Sequence, residues 1–176
     1  MQDQQYLTPQ IVACIPALRR YARGLTGNRE DADDLVQDAL ERAWSRLALW
    51  QRRGDLRAWL FSILHNRFVD RVRSVRASPE EPMNGDGDRD GITLPVRATQ
   101  SDRLEVRDLD AALARLMPDQ REVLLLVAVE QMSYGQIAGV LGVPLGTVMS
   151  RLSRAREQLR AVLEGRAVVS RLKVVK

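Results

Sequence analysis

Residues 133–160 run Ser-Tyr-Gly-Gln-Ile-Ala-Gly-Val-Leu-Gly-Val-Pro-Leu-Gly-Thr-Val-Met-Ser-Arg-Leu-Ser-Arg-Ala-Arg-Glu-Gln-Leu-Arg. This pattern reads as two short helices joined by a tight turn. Ser133 is a capping residue, and Gln136, three positions on, completes a capping box. Gly142 stands where the chain must reverse, and glycine tolerates the positive φ such a turn needs. Pro144 has a fixed φ and no N–H, which suits a first helical turn. Ala138 is small enough for a second helix to approach closely. Ile137, Leu141, Val143, Val148 and Leu152 supply a buried seam. Thr147, Ser150, Arg151 and Arg154 are left pointing outward. A helix-turn-helix of this shape places its second helix in the major groove of DNA. A plain helical hairpin with a solvated arginine face carries the same pattern.

The remaining chain divides into zones. Residues 8–76 are rich in helical periodicity. Residues 77–101 hold Pro79, Pro82, Pro95, Gly85, Gly87 and Gly91 with little apolar periodicity, so they read as a flexible linker. Residues 102–163 are helical again, and 164–176 form a basic, partly apolar tail. No segment alternates with period two. The expectation is an all-α fold of two small helical domains joined by a linker.

Within the first domain, Thr8 followed by Pro9 marks a helix start. Pro16 should interrupt or restart that helix, which runs to Gly24 or Gly27. Asn28 caps the next helix, with Glu30 and Asp31 favourable in its first turn. Its buried face is expected to be Leu35, Val36, Ala39, Leu40, Ala43, Trp44 and Leu47. A third helix covers about 55–75, with Leu56, Leu60, Leu64, Phe68 and Val72 in an i+4 row. The second domain opens with a helix near 102–116. Pro118 then starts a helix whose centre, Val123 to Val129, is apolar all round and belongs in the middle of a bundle.

Charge follows the same division. The linker carries five acidic and two basic residues, while residues 8–76 and 102–176 are each net basic. Asp31, Asp34, Asp38 and Glu41 share the polar face of the second helix. An acidic stripe repels DNA, so it faces water or a basic protein. On the third helix Ser62, Asn66 and Arg73 line the outer face, with Arg57, Arg67, Arg71 and Arg76 nearby. Trp59, Phe61 and Phe68 are interleaved among them. Aromatics amid arginines suit single-stranded nucleic acid, although helical spacing equally makes them core residues.

Several function classes fall away. Cys14 and His65 are the only cysteine and histidine, too few for a structural zinc site or an internal disulfide. Asp86 to Gly91 match half of a calcium loop, but Arg97 stands where a bidentate Glu is required. No phosphate-binding glycine loop or nucleophile–base arrangement is present, so neither cofactor, metal nor catalytic residues are expected. No apolar run approaches the roughly 18 residues of a membrane span, and the amino terminus lacks signal-peptide character. A soluble cytoplasmic chain without membrane insertion is expected.

These motifs together resemble the extracytoplasmic-function (ECF) sigma factors of bacterial RNA polymerase. Residues 31–44, Asp-Ala-Asp-Asp-Leu-Val-Gln-Asp-Ala-Leu-Glu-Arg-Ala-Trp, look like that family's regions 2.1–2.2. Residues 56–70 are similar to regions 2.3–2.4, residues 116–126 and 132–138 to region 4.1, and residues 143–156 to region 4.2. The resemblance spans roughly 11–163. It implies that Asp34, Gln37 and Asp38, with Glu41, bind core polymerase at the β′ clamp coiled coil, and that the β subunit is also a partner. It implies that the −10 promoter element is read as a melted strand, with Asn66 at the reading position and Trp59, Ser62, Arg67 and Arg73 around it. Thr147, Ser150, Arg151 and Arg154 would then read the −35 element as duplex. It also implies an anti-sigma factor that clasps both domains. Met149 and Ser153 depart from the family pattern, in which a basic and an aromatic residue are common. On the residues alone, an operator-binding regulator and a sigma-mimicking adaptor remain alternatives.

Overall fold

A computed structural model describes residues 2–47, 50, 54–77 and 112–163. Those residues form six helices. They are α1 (Gln2–Thr26), α2 (Arg29–Arg46), α3 (Leu56–Ala77), α4 (Pro118–Ala128), α5 (Tyr134–Leu141) and α6 (Leu145–Leu163). Among the described residues there is no strand. A helical turn at 112–114 precedes α4. The linker, the expected helix over 102–111, the calcium-like segment and the tail lie outside the described residues.

Helix α1 departs from expectation in two ways. It begins well before Thr8, and it passes straight through Pro9 and Pro16. Each proline frees the carbonyl four residues back. Both rings are exposed, and so is Val12, whose carbonyl Pro16 frees. Asn28 caps α2 as expected, its side chain accepting from the Asp31 N–H at 2.8 Å.

Helices α1, α2 and α3 pack as one bundle, and α4, α5 and α6 as a second. In the first, Leu18, Tyr21, Leu35, Leu60, Phe61 and Leu64 are almost wholly buried. Burial of each large apolar side chain contributes about 1.5–3 kcal/mol. Trp44 is not among them: it is 48% exposed. Ala32, Ala39 and Ala43 let α2 sit close on its neighbours, which narrows the stripe. Trp44 lies about 100° round from Ala43 and falls outside it.

The two bundles are not separate bodies. Helix α3 packs on α5 and α1 on α4, and one apolar cluster runs from Leu18 and Tyr21 through Leu125 and Leu126 to Ile137 and Leu152. This explains why the centre of α4 is apolar all round: it is covered from both sides. The approach is close at Gly24, where a Cβ would stand 2.4 Å from Cδ1 of Leu125.

Candidate nucleic-acid and polymerase interfaces

The α2 acidic face is exposed at Asp34, Gln37, Asp38 and Glu41. Its margins are neutralised from within the bundle. Asp33 pairs with Arg19 at 3.1 Å and Arg29 at 3.7 Å, and Asp31 pairs with Arg71 at 3.4 Å. Asp38 is met by Arg67 of α3 at 3.2 Å. Gln37 donates to Glu41 at 3.2 Å, one helical turn along. The centre of the ridge thus keeps a net negative charge facing solvent.

On α3, Asn66 and Arg73 project outward as expected. Three neighbours are engaged inside the protein. Trp59 is half-buried and stacks on Trp50, ring centroids 5.9 Å apart. Ser62 donates its hydroxyl to the Trp59 carbonyl at 2.7 Å. Arg67 is held by Asp38, so it joins the acidic ridge to the α3 face. Phe61 is a core residue against Tyr21, at 5.3 Å between centroids.

The helix-turn-helix forms as its sequence requires. Ser133 and Gln136 complete the capping box, and Gly142 turns the chain at φ 64°. The Pro144 carbonyl receives the first N–H groups of α6, from Thr147 at 2.9 Å and Val148 at 3.2 Å. Ser150 and Arg154, one turn apart, are exposed. Thr147 is half-buried, because it lies in the first turn against the α5–α6 corner. Arg151 turns back to Asp119 of α4 at 3.2 Å, its side chain only 25% exposed. Met149 and Ser153 border a cavity of about 450 Å³ with Tyr134, Leu152, Arg156, Glu157 and Arg160.

A feature absent from the sequence reading lies between the bundles. Glu122 and Glu130, both buried, cross from the second bundle to the first. Glu122 accepts from the Tyr21 hydroxyl at 3.0 Å and meets Nδ1 of His65 at 2.5 Å. Burial, reinforced by the charge of Glu122, pushes the Tyr21 phenol well above its ordinary range. Glu130 is gripped by Arg20 and Arg57. Gln136 donates to Asp55 at 2.5 Å alongside them. The only hint in the sequence is that the two glutamates bracket the apolar run of α4.

The two bundles match two known sequence families. The Sigma2 domain of PhyR matches residues 11–65, and Sigma-70, region 4 matches residues 107–159. Along the chain, the ECF RNA polymerase sigma factor EcfG of Rhodopseudomonas palustris is 41% identical over 160 residues, covering 89% of this chain and 84% of that protein. The chain belongs to the ECF sigma factors. A second relative, SigL of Mycobacterium tuberculosis, is 36% identical over 154 residues, or 84% of this chain and 82% of that one. Two solved structures share the fold. The sigma factor RpoE of Bartonella quintana, in complex with the anti-sigma factor NepR, superposes with TM-score 0.73 at 32% identity, covering 92% of this chain and 98% of that one. CnrH, in complex with the cytosolic domain of CnrY, gives 0.67 at 29%, covering 93% and 91%. As an ECF sigma factor the chain is an alternative sigma factor that directs transcription initiation. Among the described residues no helix is long and apolar enough to cross a membrane, and no acidic, histidine or cysteine cluster could hold a metal ion.

Proposed function

We propose that the division of labour within this sigma factor follows its charge. The exposed ridge of Asp34, Gln37, Asp38 and Glu41 binds a basic helical surface of core RNA polymerase, the β′ clamp coiled coil, while region 4 also meets the β subunit. The α3 face reads the melted −10 strand through Asn66, with Arg73 and, once released from Asp38, Arg67 on its phosphates. Trp59 and Ser62 support that face from within. Ser150 and Arg154 of α6 read −35 duplex, and Thr147 and Arg151 reach it from the margins. The chain catalyses nothing itself and works in the cytoplasm beside polymerase. Its inhibitor is an anti-sigma protein of the kind seen with RpoE.

The observation that carries this reading is the separation of an exposed acidic face on α2 from exposed DNA-type residues on α3 and α6. Pull-down of core polymerase coupled to run-off transcription from a promoter library tests it. The expected result is core association and transcripts that share −10 and −35 sequences. Tight operator binding without polymerase, or core binding without any transcript, would overturn it. Asn66→Ala is expected to impair open-complex formation, followed by permanganate footprinting, more than duplex binding; equal losses would remove Asn66 from strand reading.

A further inference from the structure

Glu130 sits where two arginines of the other bundle converge. Arg20 forks onto it, Nε to Oε1 at 3.2 Å and an NH₂ group to Oε2 at 3.3 Å. Arg57 reaches Oε2 at 2.6 Å. The glutamate side chain is wholly buried, whereas Arg20 and Arg57 keep 40% and 36% of theirs exposed. The pair of cations is therefore a rim feature of region 2, and the anion is a plug supplied by region 4.

Arg57 is set in place by region 2 itself. The Arg57 guanidinium lies 5.3 Å from the centre of the Phe61 ring, and Phe61 is fixed in the core. Arg57 is also on α3, the helix that carries Asn66 and Arg73. The plug, in turn, depends on a strained backbone. At the end of α4 the Leu125 carbonyl accepts from both Val129 and Glu130, and Gln131 takes a left-handed φ of 53°. A residue other than glycine adopts that conformation against a steric cost, and here it ends the helix with Glu130 facing the arginines. Two planar guanidinium forks around one anion suit a phosphodiester as well as a carboxylate.

Distance makes the closed chain unable to serve a whole promoter. Elements centred at −10 and −35 are roughly 25 base pairs apart, about 85 Å of duplex axis. A compact chain of this length is only about 40 Å across. The bundles must part for region 2 and region 4 to occupy both elements, and parting withdraws Glu130 from Arg20 and Arg57.

We propose that Arg20 and Arg57 form a receptor for a DNA backbone phosphate, which Glu130 fills in the closed chain, so that region 2 gains this contact only when region 4 leaves. The proposal rests on the reading of α3 as a promoter-facing helix. An acidic protein segment is the competing occupant.

The test uses the full chain, a labelled 20-nucleotide oligo-dT and a labelled 20-residue poly-glutamate, followed by fluorescence anisotropy, with small-angle scattering for compactness. Glu130→Gln should enlarge the radius of gyration and tighten oligo-dT binding by about 30-fold, the low end for unpairing one partner of a buried charge pair. Adding Arg20→Gln and Arg57→Gln should abolish that gain and reduce the salt slope by about 0.7, the value for one phosphate contact on a single strand. Glu130→Asp, which keeps the charge but falls short of the forks, should give the same direction with a smaller change should the Gln variant fail to fold. A gain that persists without the arginines, or no gain on opening, overturns the receptor. Tighter binding of poly-glutamate than of oligo-dT through the same arginines overturns its assignment to DNA. Run-off transcription by Glu130→Gln with core polymerase reports sigma activity separately: transcripts without the oligo-dT effect sink the receptor alone.

Discussion

Helices α2 and α4 both carry carboxylates, yet solvate them in opposite ways. On α2, Asp34 and Glu41 stand on the polar face, in water. On α4, Glu122 is buried among apolar residues, as is Glu130 just beyond its end, and each is matched by groups from residues 20–65. An exposed carboxylate adds little to folding and stays available to a partner. A buried one must be satisfied internally, and its removal strands the groups that faced it. One residue type therefore marks a docking surface in one half and a closure in the other.

The largest expected effect is at Glu122. Glu122→Ala leaves the buried Tyr21 hydroxyl and His65 unpaired, and should lower unfolding stability in urea by about 3 kcal/mol. Asp34→Ala should change it by less than about 0.5 kcal/mol. Similar losses at the two positions would erase the distinction. Asp34→Arg is next: core polymerase affinity, measured by surface plasmon resonance, should fall by about 2 kcal/mol, roughly 30-fold, with the melting temperature unchanged. Retained affinity would show that the ridge is merely solvated.

A finer version concerns the two arginines of α6. Arg154→Ala should weaken binding of the holoenzyme to −35 duplex by about 1–2 kcal/mol in gel shifts. Arg151→Ala should cost less, because Asp119 already holds that side chain. The reverse order would mean that Arg151 leaves Asp119 on DNA. The smallest effect is at Tyr21. An exposed tyrosine in the unfolded chain ionises near pH 10, whereas the buried phenol ionises later. Its contribution is therefore complete below about pH 10 and is lost as pH rises toward the folded value. Tyr21→Phe should cost about 1 kcal/mol at neutral pH and flatten the alkaline decline seen by circular dichroism. An unchanged decline would place the proton elsewhere.

Much of this was legible in local pattern. The i+4 row from Leu56 to Leu64, the Asn28 cap, the capping box at Ser133 and the turn at Gly142 are contacts within a few residues, which periodicity records. Trp44 was misread because an apolar residue at the edge of a stripe is buried or bare according to how near its neighbours come, and the alanines of α2 decide that. Pro16 was expected to interrupt α1, yet the helix continues through it with the ring and Val12 both exposed. The pairing of Arg151 with Asp119 and of Arg67 with Asp38 joins different helices, so spacing on one helix could not reveal it. Glu122 and Glu130 lay furthest from view: their partners are 57 to 110 residues away.

The clearance at Gly24 is smaller than one methyl group. Region 2 and region 4 therefore fit together like a ground joint, in which the thickness of the surfaces matters as much as their adhesion. Any side chain at position 24 would act as a shim against Leu125. Steric tolerance there, with no change of charge anywhere, would set how often the joint stands open.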